Sequence, residues 1–585
     1  MITLTYSNKE QLAGEIASYW HEWDNARTSA CEMWAEIDSY IHATDTSSIE
    51  GGDFFDHKTF IPVISEIHED LIAIIYSTVF PHEEWLGWKG YDAKAIAKEK
   101  RQKLISMIKQ VHALNGFSST FRKVIDDLVR YGNCFTKVGY VNETQQEGDE
   151  TVTGFIGPKP VRISPYDIVF NPTHESFAAA PKIVKSLIPT GEFKEFIEEL
   201  GEESQIDGDT LSRLLARRAG GSTRNSDGHK ESQYIAAGFG SLKNYHTSGM
   251  IELLWFYGDI FDPTEESINK GRVVVAVDGN TIVYDGYEPK QTIFKGSWKP
   301  RPDSLWAQGP LDNLVGINYM INHRENSKND SIDSFANPDR AYVGDVEEIY
   351  DEVTGQTKYI MPEGGSVQDI TPDATVLTYD NQINMHIEMA RRAARIPQQL
   401  SGFKTSGEKT AFEVQNLNDG AFRGFINKAM QFEEDVIEPT VTAEIRVARE
   451  NFTTVINVLE EDEEGIISVL EITEDDLSSN GKLIPHGARR FARNLQQLAG
   501  LQNLIQSGMY QVLGKHFKTY DLAKVWETLN GFESFEVVQK FAIIDETMEE
   551  KEATMLAEQE MEKTMSEPSA MEMEMDVGME EEDEL

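Results

Sequence analysis

The residues of this chain whose types and spacing come nearest to a known chemistry lie in SGFKTSGEKT, residues 401–410. A nucleotide-binding P-loop has the pattern G-x-x-x-x-G-K-[ST], in which backbone N–H groups and the lysine cradle phosphates. Four residues come within one position of that pattern: Gly402, Gly407, Lys409 and Thr410. The stretch is either a nucleotide site or a basic loop that meets another anionic partner.

Two features argue against the nucleotide site. Glu408 is inserted between the second glycine and the lysine, where its carboxylate would repel phosphate. A P-loop also follows a buried strand, whereas the residues upstream repeat at helical spacing through Ile383, Ile387 and Ala390 until Pro397. Helical periodicity resumes downstream, so the sequence predicts a loop that joins two helices.

No other arrangement typical of catalysis is present in the sequence. The histidines are scattered without an H-E-x-x-H pattern, and no G-x-S-x-G motif occurs. Cys31 and Cys134 lie far apart and outside any C-x-x-C pair, which favours small core residues in a reducing compartment. We therefore expect a protein that is not an enzyme, with no catalytic residue, cofactor or metal site.

The charge balance constrains how the chain could meet nucleic acid. Its 585 residues carry 54 Lys and Arg against 99 Asp and Glu, a formal charge of −45, with an apolar content of 40%. Such a chain has enough apolar residues for a large core, but it cannot wrap DNA by bulk attraction. It could surround DNA without retaining it. The longest apolar run, LIAIIYSTVF, is shorter than the ~20 residues that span a bilayer, so we expect no membrane contact.

The periodicity along the chain predicts a mixed α+β fold. Helices are expected first, with Leu12, Ile16, Trp20 and Trp23 on one core-facing stripe. Strands follow Gly132, a predicted helix stop. Further strands are expected around a hairpin turn at Asp278-Gly279-Asn280, after a non-periodic loop, GGSTRNSDGHKES.

A different architecture is predicted from Gly309. Pro310 is expected at the first position of a helix whose first half is apolar and whose second half is polar. A short acidic, strand-rich insert and a second helix follow, and together they predict a projection with a β-rich tip. A long helix then reaches a predicted break at Pro439. An acidic hairpin, amphipathic helices and a tail with 17 Asp/Glu against 2 Lys from Asp545 onward complete the chain.

Four stretches, in this order, resemble the portal protein (head-to-tail connector) of tailed bacteriophages, particularly the short-tailed ones. They are LVRYGNCFTKVGYV, VRISPYDIVFNP, LWAQGPLDNLVGINYMIN and GEKTAFEVQNLNDGAFRGFINKAMQFEEDVIEP. The last is the most specific, although Phe412 replaces a commoner small residue of the family. The resemblance covers roughly residues 60 to 530.

The resemblance implies a portal fold in a ring of identical subunits, usually twelve, at one capsid vertex of the virion, made in the host cytoplasm. The expected parts are a helical and β wing (1–308, with 453–480 returning to it), two stem helices (309–335 and 381–396), a small β-rich clip (336–380), a tunnel loop (397–409), a long kinked helix (410–452), a helical crown (481–545) and an acidic, disordered tail (546–585). Double-stranded DNA would pass through the ring without sequence readout.

The resemblance also implies roles for particular residues. Gly402 and Gly407 would allow the tunnel loop to turn, and Lys404 and Lys409 would meet DNA phosphates, unless both lysines are ordinary solvated charges. Three arginines lie on the expected second stem helix: Arg391, Arg392 and Arg395. They could form a cationic ring in the channel, but ion pairs with Glu and Asp of neighbouring subunits are the preferred interpretation.

The acidic clip would dock a basic partner surface. Its candidate residues are Asp345, Glu347, Glu348, Asp351 and Glu352. The family's partners are the terminase packaging motor, the tail adaptor, and the major capsid and scaffolding proteins. A capsid or tail structural protein without a DNA channel fits the composition equally well, but it would not require the helix–module–helix–loop–helix order.

Replacing Lys404 and Lys409 together by Glu should leave assembly and thermal stability nearly unchanged, because exposed loop charges contribute little to folding. Retention of DNA should fall, with a defect that depends on ionic strength, because phosphate contacts are screened by salt. Filter binding of DNA across a salt series, beside thermal melting, measures both effects. Tight ATP binding that Lys409→Ala abolishes would contradict this interpretation and restore the nucleotide site.

Overall fold

The computed structural model describes the chain with gaps, within one compact unit, Met1–Arg489. The described residues are 1–4, 9–44, 55–80, 85–90, 98–147, 150–219, 228–239, 250–263, 265–288, 290–344, 347–351, 356–360, 364–370, 376, 378–395, 424–452, 456–461, 467–477 and 481–488. Helices and strands are interleaved throughout these residues, which confirms the predicted α+β class. The predicted crown and acidic tail lie outside them, apart from residues 481–488.

Five helices form most of the first part. They are α1 (Lys9–Ala26), α2 (Thr28–Ile41), α3 (Val63–Val79), α4 (Lys98–Asn115) and α5 (Phe117–Tyr131). The stripe predicted on α1 is buried, with Ile16 and Trp20 in contact with a sheet. α5 ends, as predicted, at Gly132, whose φ of 67° and close approach to Gly309 leave no room for a side chain.

Twelve described strands accompany these helices, and nine of them form two sheets. The strands are β1 (Ile2–Thr3), β2 (Leu86–Gly90), β3 (Asn133–Glu147), β4 (Glu150–Ile163), β5 (Ile168–Phe170), β6 (Lys182–Pro189), β7 (Met250–Asp262), β8 (Ser267–Val277), β9 (Thr281–Tyr287), β10 (Ile293–Ser297), β11 (Lys299–Arg301) and β12 (Ser304–Gln308). The larger sheet has the order β5-β6-β7-β8-β9, with β1 parallel to β7; the smaller is β10-β3-β4. The predicted turn joins β8 to β9, with Asp278 and Gly279 at positive φ.

Three short helices lie between β6 and β7 of the larger sheet. They are α6 (Thr190–Leu200), α7 (Gly208–Ala219) and α8 (Gly228–Ala236). The loop predicted over GGSTRNSDGHKES is therefore wrong from Gly228 onward. α8 contacts α2, and Gln233 on it donates to the Tyr131 hydroxyl at 3.0 Å, so tertiary contacts stabilise a helix that local periodicity does not predict.

The predicted order of helix, strands and helix is present as two helices and four strands, and we call these elements the projection. They are α9 (Val315–Ala336), β13 (Asp339–Val343), β14 (Glu347–Asp351), β15 (Gln356–Ile360), β16 (Ser366–Ile370) and α10 (Tyr379–Ala393). The prediction that Pro310 begins the helix is wrong. Residues 310–314 form a turn that buries Leu311 and Leu314, and Asp312 accepts from the Gly309 N–H, so the helix begins at Val315.

The break predicted at Pro439 is also wrong. The helix described from residue 424 passes through a π-helical turn, Glu433–Ile437, and continues as α11 (Glu438–Glu450). A proline ring clashes with the carbonyl four residues earlier in an α-helix, and a π turn widens the backbone at that point. Beyond it lie an acidic hairpin, β17 (Ile456–Glu461) with β18 (Ile467–Ile472), then α12 (Glu474–Leu477) and β19 (Gly481–Pro485), which pairs with β2.

A buried carboxyl, Asp38, joins α2 to α5. It is 1% exposed and accepts from the Tyr131 hydroxyl at 2.9 Å and from Arg130 at 3.2 Å. Burial raises the pKa of Asp38 to about 6, because desolvation outweighs the attraction of Arg130. Since that pKa lies above the ordinary value of 3.8, Asp38 keeps a proton between about pH 4 and pH 6 in the folded protein and releases it in the unfolded chain.

Asp38→Asn should therefore remove a pH dependence of stability. The contribution of Asp38 is fully present below about pH 4 and is lost as the pH rises through about 6, a change of up to about 3 kcal/mol. Urea unfolding at pH 4.5 and 7 should show a smaller loss of stability towards neutral pH in the variant than in the wild type. Asp209→Asn, at an exposed position in the first turn of α7, serves as the control. If the free energy of unfolding changes equally with pH in all three proteins, the assignment is refuted.

Candidate functional site: the helix-flanked projection

The two long helices of the projection pack against each other. Lys328 on α9 donates to Asp380 on α10 at 2.9 Å and to Glu325 on its own helix at 2.8 Å. Arg324 lies 3.2 Å from the His386 ring, farther along the same pair. These polar contacts hold α10 beside α9, so the β strands between them are carried at one end of a helical shaft.

Polar side chains of α9 accept hydrogen bonds from the backbone of a neighbouring segment. The segment 55–62 between α2 and α3 has no strand or helix partner, so its N–H groups need other acceptors. Two asparagines one turn apart supply them: Asn322 accepts from Ile61 at 3.0 Å and Asn326 from Thr59 at 2.7 Å. One turn earlier, Asn318 accepts from Ile64 in the first turn of α3 at 3.3 Å.

The same face continues with carboxylates. Asp330 accepts from the backbone N–H of His57 at 2.9 Å and of Asp56 at 3.2 Å. Asp333 lies 2.6 Å from the His57 ring, and this hydrogen bond raises the pKa of His57. We call Asn318, Asn322, Asn326 and Asp330 the polar ladder. Their spacing of four residues is the signal that sequence reasoning overlooked, because such residues share one helical face.

The tip of the projection consists of two small antiparallel sheets of two strands each. β13 pairs with β16, and β14 pairs with β15. The two sheets meet where the Tyr342 and Tyr359 rings lie 5.9 Å apart. Arg340 lies over the Tyr359 ring and pairs with Asp369 at 3.2 Å. Six large apolar side chains are exposed: Tyr342, Val343, Ile349, Tyr350, Ile360 and Ile370. Two-stranded sheets with this exposure are marginal alone, which indicates a surface that another molecule covers.

The acidic residues predicted to dock a partner are only partly described. Glu347 begins β14 and is exposed. Glu348 and Asp351 lie on the same strand, opposite Tyr359 and Gln356 in the register of β15. Asp345 and Glu352 lie outside the described residues.

The three arginines predicted to act together are placed differently from one another. Arg391 donates to Glu66 on α3 at 3.2 Å, so it joins α10 to the body of its own chain. Arg392 is exposed and lies 3.4 Å from Glu388, one turn away. The placement of Arg395 on the helix is wrong: α10 ends at Ala393, and Arg395 follows with a φ of 62°. Pro397 has no N–H to continue the helical hydrogen bonds.

Two neighbouring cations, Arg395 and Lys428, lie on either side of the predicted tunnel loop in the chain. The Arg395 guanidinium lies 3.7 Å from where a Cβ on Gly424 would stand, so the chain leaves and returns at neighbouring points. Burial lowers the pKa of Lys428, and the nearby charges of Arg395 and Lys299 lower it further. The predicted loop residues themselves, Gly402, Lys404, Gly407 and Lys409, lie outside the described residues.

Within the described residues, no helix is both long and apolar enough to cross a membrane, and no group of His, Cys, Asp and Glu is arranged to hold a metal ion. No protein-family model matches the chain, and no curated protein sequence matches it.

Asn326→Ala should destabilise the protein by about 1–3 kcal/mol, because the variant loses the buried Asn326 amide and with it the acceptor of the partly buried Thr59 N–H. Urea unfolding monitored by tryptophan fluorescence measures the loss. Ser334→Ala removes an exposed hydroxyl from the same helix and should change the free energy of unfolding by less than about 0.5 kcal/mol. If the two variants unfold alike, the polar ladder does not hold the segment.

Proposed function

We propose that this protein is the portal of a tailed bacteriophage, a closed ring of identical subunits through which double-stranded DNA enters and leaves the capsid. One observation carries the proposal: an antiparallel pair of helices, α9 and α10, with a small β-rich module between them. This order matches the stem and clip expected from the resemblance. It does not resemble an enzyme pocket, because the polar side chains described above bind the neighbouring helix or backbone N–H groups.

Exposed apolar side chains on the helical pair support self-association. The exposed residues include Tyr319, Met320, Ile332, Met385 and Met389, with exposed fractions from 38% to 58%. Large apolar groups exposed along a shaft favour burial against an identical shaft, and repeated use of one contact closes a ring when the rotation allows it. The tip, with its own exposed tyrosines, would then form one rim of the ring.

The charge distribution supports a channel for DNA. A net charge of −45 disfavours a channel wall that binds DNA tightly. The neighbouring cations Arg395 and Lys428 would occur once in every subunit of a ring. Sparse cationic belts in an acidic channel keep each phosphate contact weak and sensitive to salt, so the duplex can slide. In this proposal the acidic clip docks the terminase packaging motor and, after packaging, the tail adaptor, while the ring sits among capsid and scaffolding proteins at the portal vertex.

The purified protein should form closed rings with a central hole. Light scattering coupled to size exclusion gives the subunit number, and negative-stain electron microscopy shows the hole. The paired substitution Met385→Glu with Met389→Glu should shift the population to monomers, because charged side chains would enter a contact that is apolar. Lys194→Glu, on α6, is the control and should leave rings intact.

Monomers or open filaments at high concentration would contradict the proposal. Closed assemblies without a hole that DNA could pass would instead favour a capsid or tail structural protein.

A further inference from the structure

A cleft of about 270 Å³ lies away from the projection, between β3, the connection from β9 to β10, and the C-terminal turn of α11. Its walls include Lys137, Lys290, Thr292, Arg446 and two glutamates, Glu288 and Glu450. None of these residues contributes to the proposed portal function, so a role of the cleft would be independent of that proposal.

The cleft gathers two cations, Lys290 and Arg446, in a strongly acidic protein. Arg446 is half-buried and donates to the Gln291 carbonyl at 3.0 Å, and its guanidinium has further N–H donors. The Lys137 side chain lies on the other face of β3, where its ammonium group donates to the Tyr257 hydroxyl at 2.6 Å, whereas its neighbour Val138 packs against α11.

The carboxylates in the cleft balance these cations only loosely. Glu450 lies 3.9 Å from the Lys290 ammonium and 4.0 Å from Nε of Arg446, both too long for hydrogen bonds. Its side chain is 54% exposed, so it can turn into solvent when another anion bridges the two cations. Glu288 interacts electrostatically with Lys137, so Lys290 and Arg446 against Glu450 leave a local surplus of one positive charge.

A buried hydroxyl points to the kind of ligand. Thr292 is 7% exposed, and its Oγ1 has no hydrogen-bond partner although its backbone carbonyl accepts from Val138 at 3.1 Å. A buried hydroxyl without a partner costs free energy that a ligand oxygen can recover. Hydroxyl, ammonium and guanidinium donors together suit an oxyanion with several acceptor oxygens.

We propose that this cleft binds a small phosphate-type oxyanion through Lys290, Arg446 and the Thr292 hydroxyl. The alternative source of the same chemistry is the DNA backbone, but a cleft of this volume does not admit a duplex. The ligand is therefore a free anion or a small phosphomonoester, and its binding is independent of whether the chain forms a portal.

The test uses inorganic phosphate as the probe. Isothermal titration calorimetry of the full-length protein, at constant ionic strength adjusted with chloride, should show saturable phosphate binding. Lys290→Gln and Thr292→Val should each weaken it roughly tenfold or more, the loss of one hydrogen bond to a charged group. Lys194→Gln, remote on α6, should leave the affinity unchanged.

Thr292→Val gives a second, independent readout. Without phosphate it should melt at the same temperature as the wild type or higher, because the substitution removes an unpartnered hydroxyl and keeps the side-chain volume. With saturating phosphate the wild type should gain more thermal stability than the variant.

Absence of saturable binding in the wild type, or equal affinity in all four proteins, would overturn the proposal. Competition by a duplex oligonucleotide at equal phosphate concentration would show instead that backbone phosphates are the ligand. Ring formation, scored separately by microscopy, distinguishes failure of this proposal from failure of the portal proposal.

Discussion

The projection depends on one constraint, that every backbone N–H removed from water must find an acceptor. Segment 55–62 runs along α9 without joining a sheet, and the polar ladder gives its amides and the first turn of α3 acceptors at intervals of one helical turn. This arrangement ties the shaft to the body of the chain just before α3. Arg391 ties α10 to α3 through Glu66, so both helices of the shaft share one anchor.

The body is organised by similar exchanges between buried polar side chains and backbone. Arg27 is 2% exposed and donates to the carbonyls of Tyr166 and Ile168 at 2.7 and 2.8 Å while holding Asp24. It thereby fixes the turn that precedes β5 against the junction of α1 and α2. Removing a group of this kind would leave several acceptors unsatisfied at once, so such residues constrain the fold more than their number suggests.

Much of the fold could be predicted from periodicity, and the failures have physical causes. The stripe of α1, the stop at Gly132 and the turn at Asp278-Gly279 follow from local rules, and the structure confirms them. The loop over Gly228 is wrong because distant contacts with α2 and Tyr131 stabilise α8. The helix start at Pro310 and the break at Pro439 are wrong because a turn held by Asp312 and a π turn replace the regular geometry that the pattern assumes. For the candidate site, the order of helix, strands and helix could be predicted. The use of the asparagines could not, because their partners lie more than 250 residues earlier in the chain.

The π turn at Glu433–Ile437 also restricts how the length of this chain can change. Compared with an uninterrupted α-helix, the turn contains one extra residue, so everything after it is rotated by about 100°. In that register Thr440 meets Thr136 at 3.2 Å and Glu444 meets His112 at 2.8 Å. A deletion of a single codon in the turn would bring the Pro439 ring against a helical carbonyl and swing both side chains out of the core, whereas an exposed loop would tolerate the same deletion. Evolution can therefore substitute residues here far more easily than it can remove one.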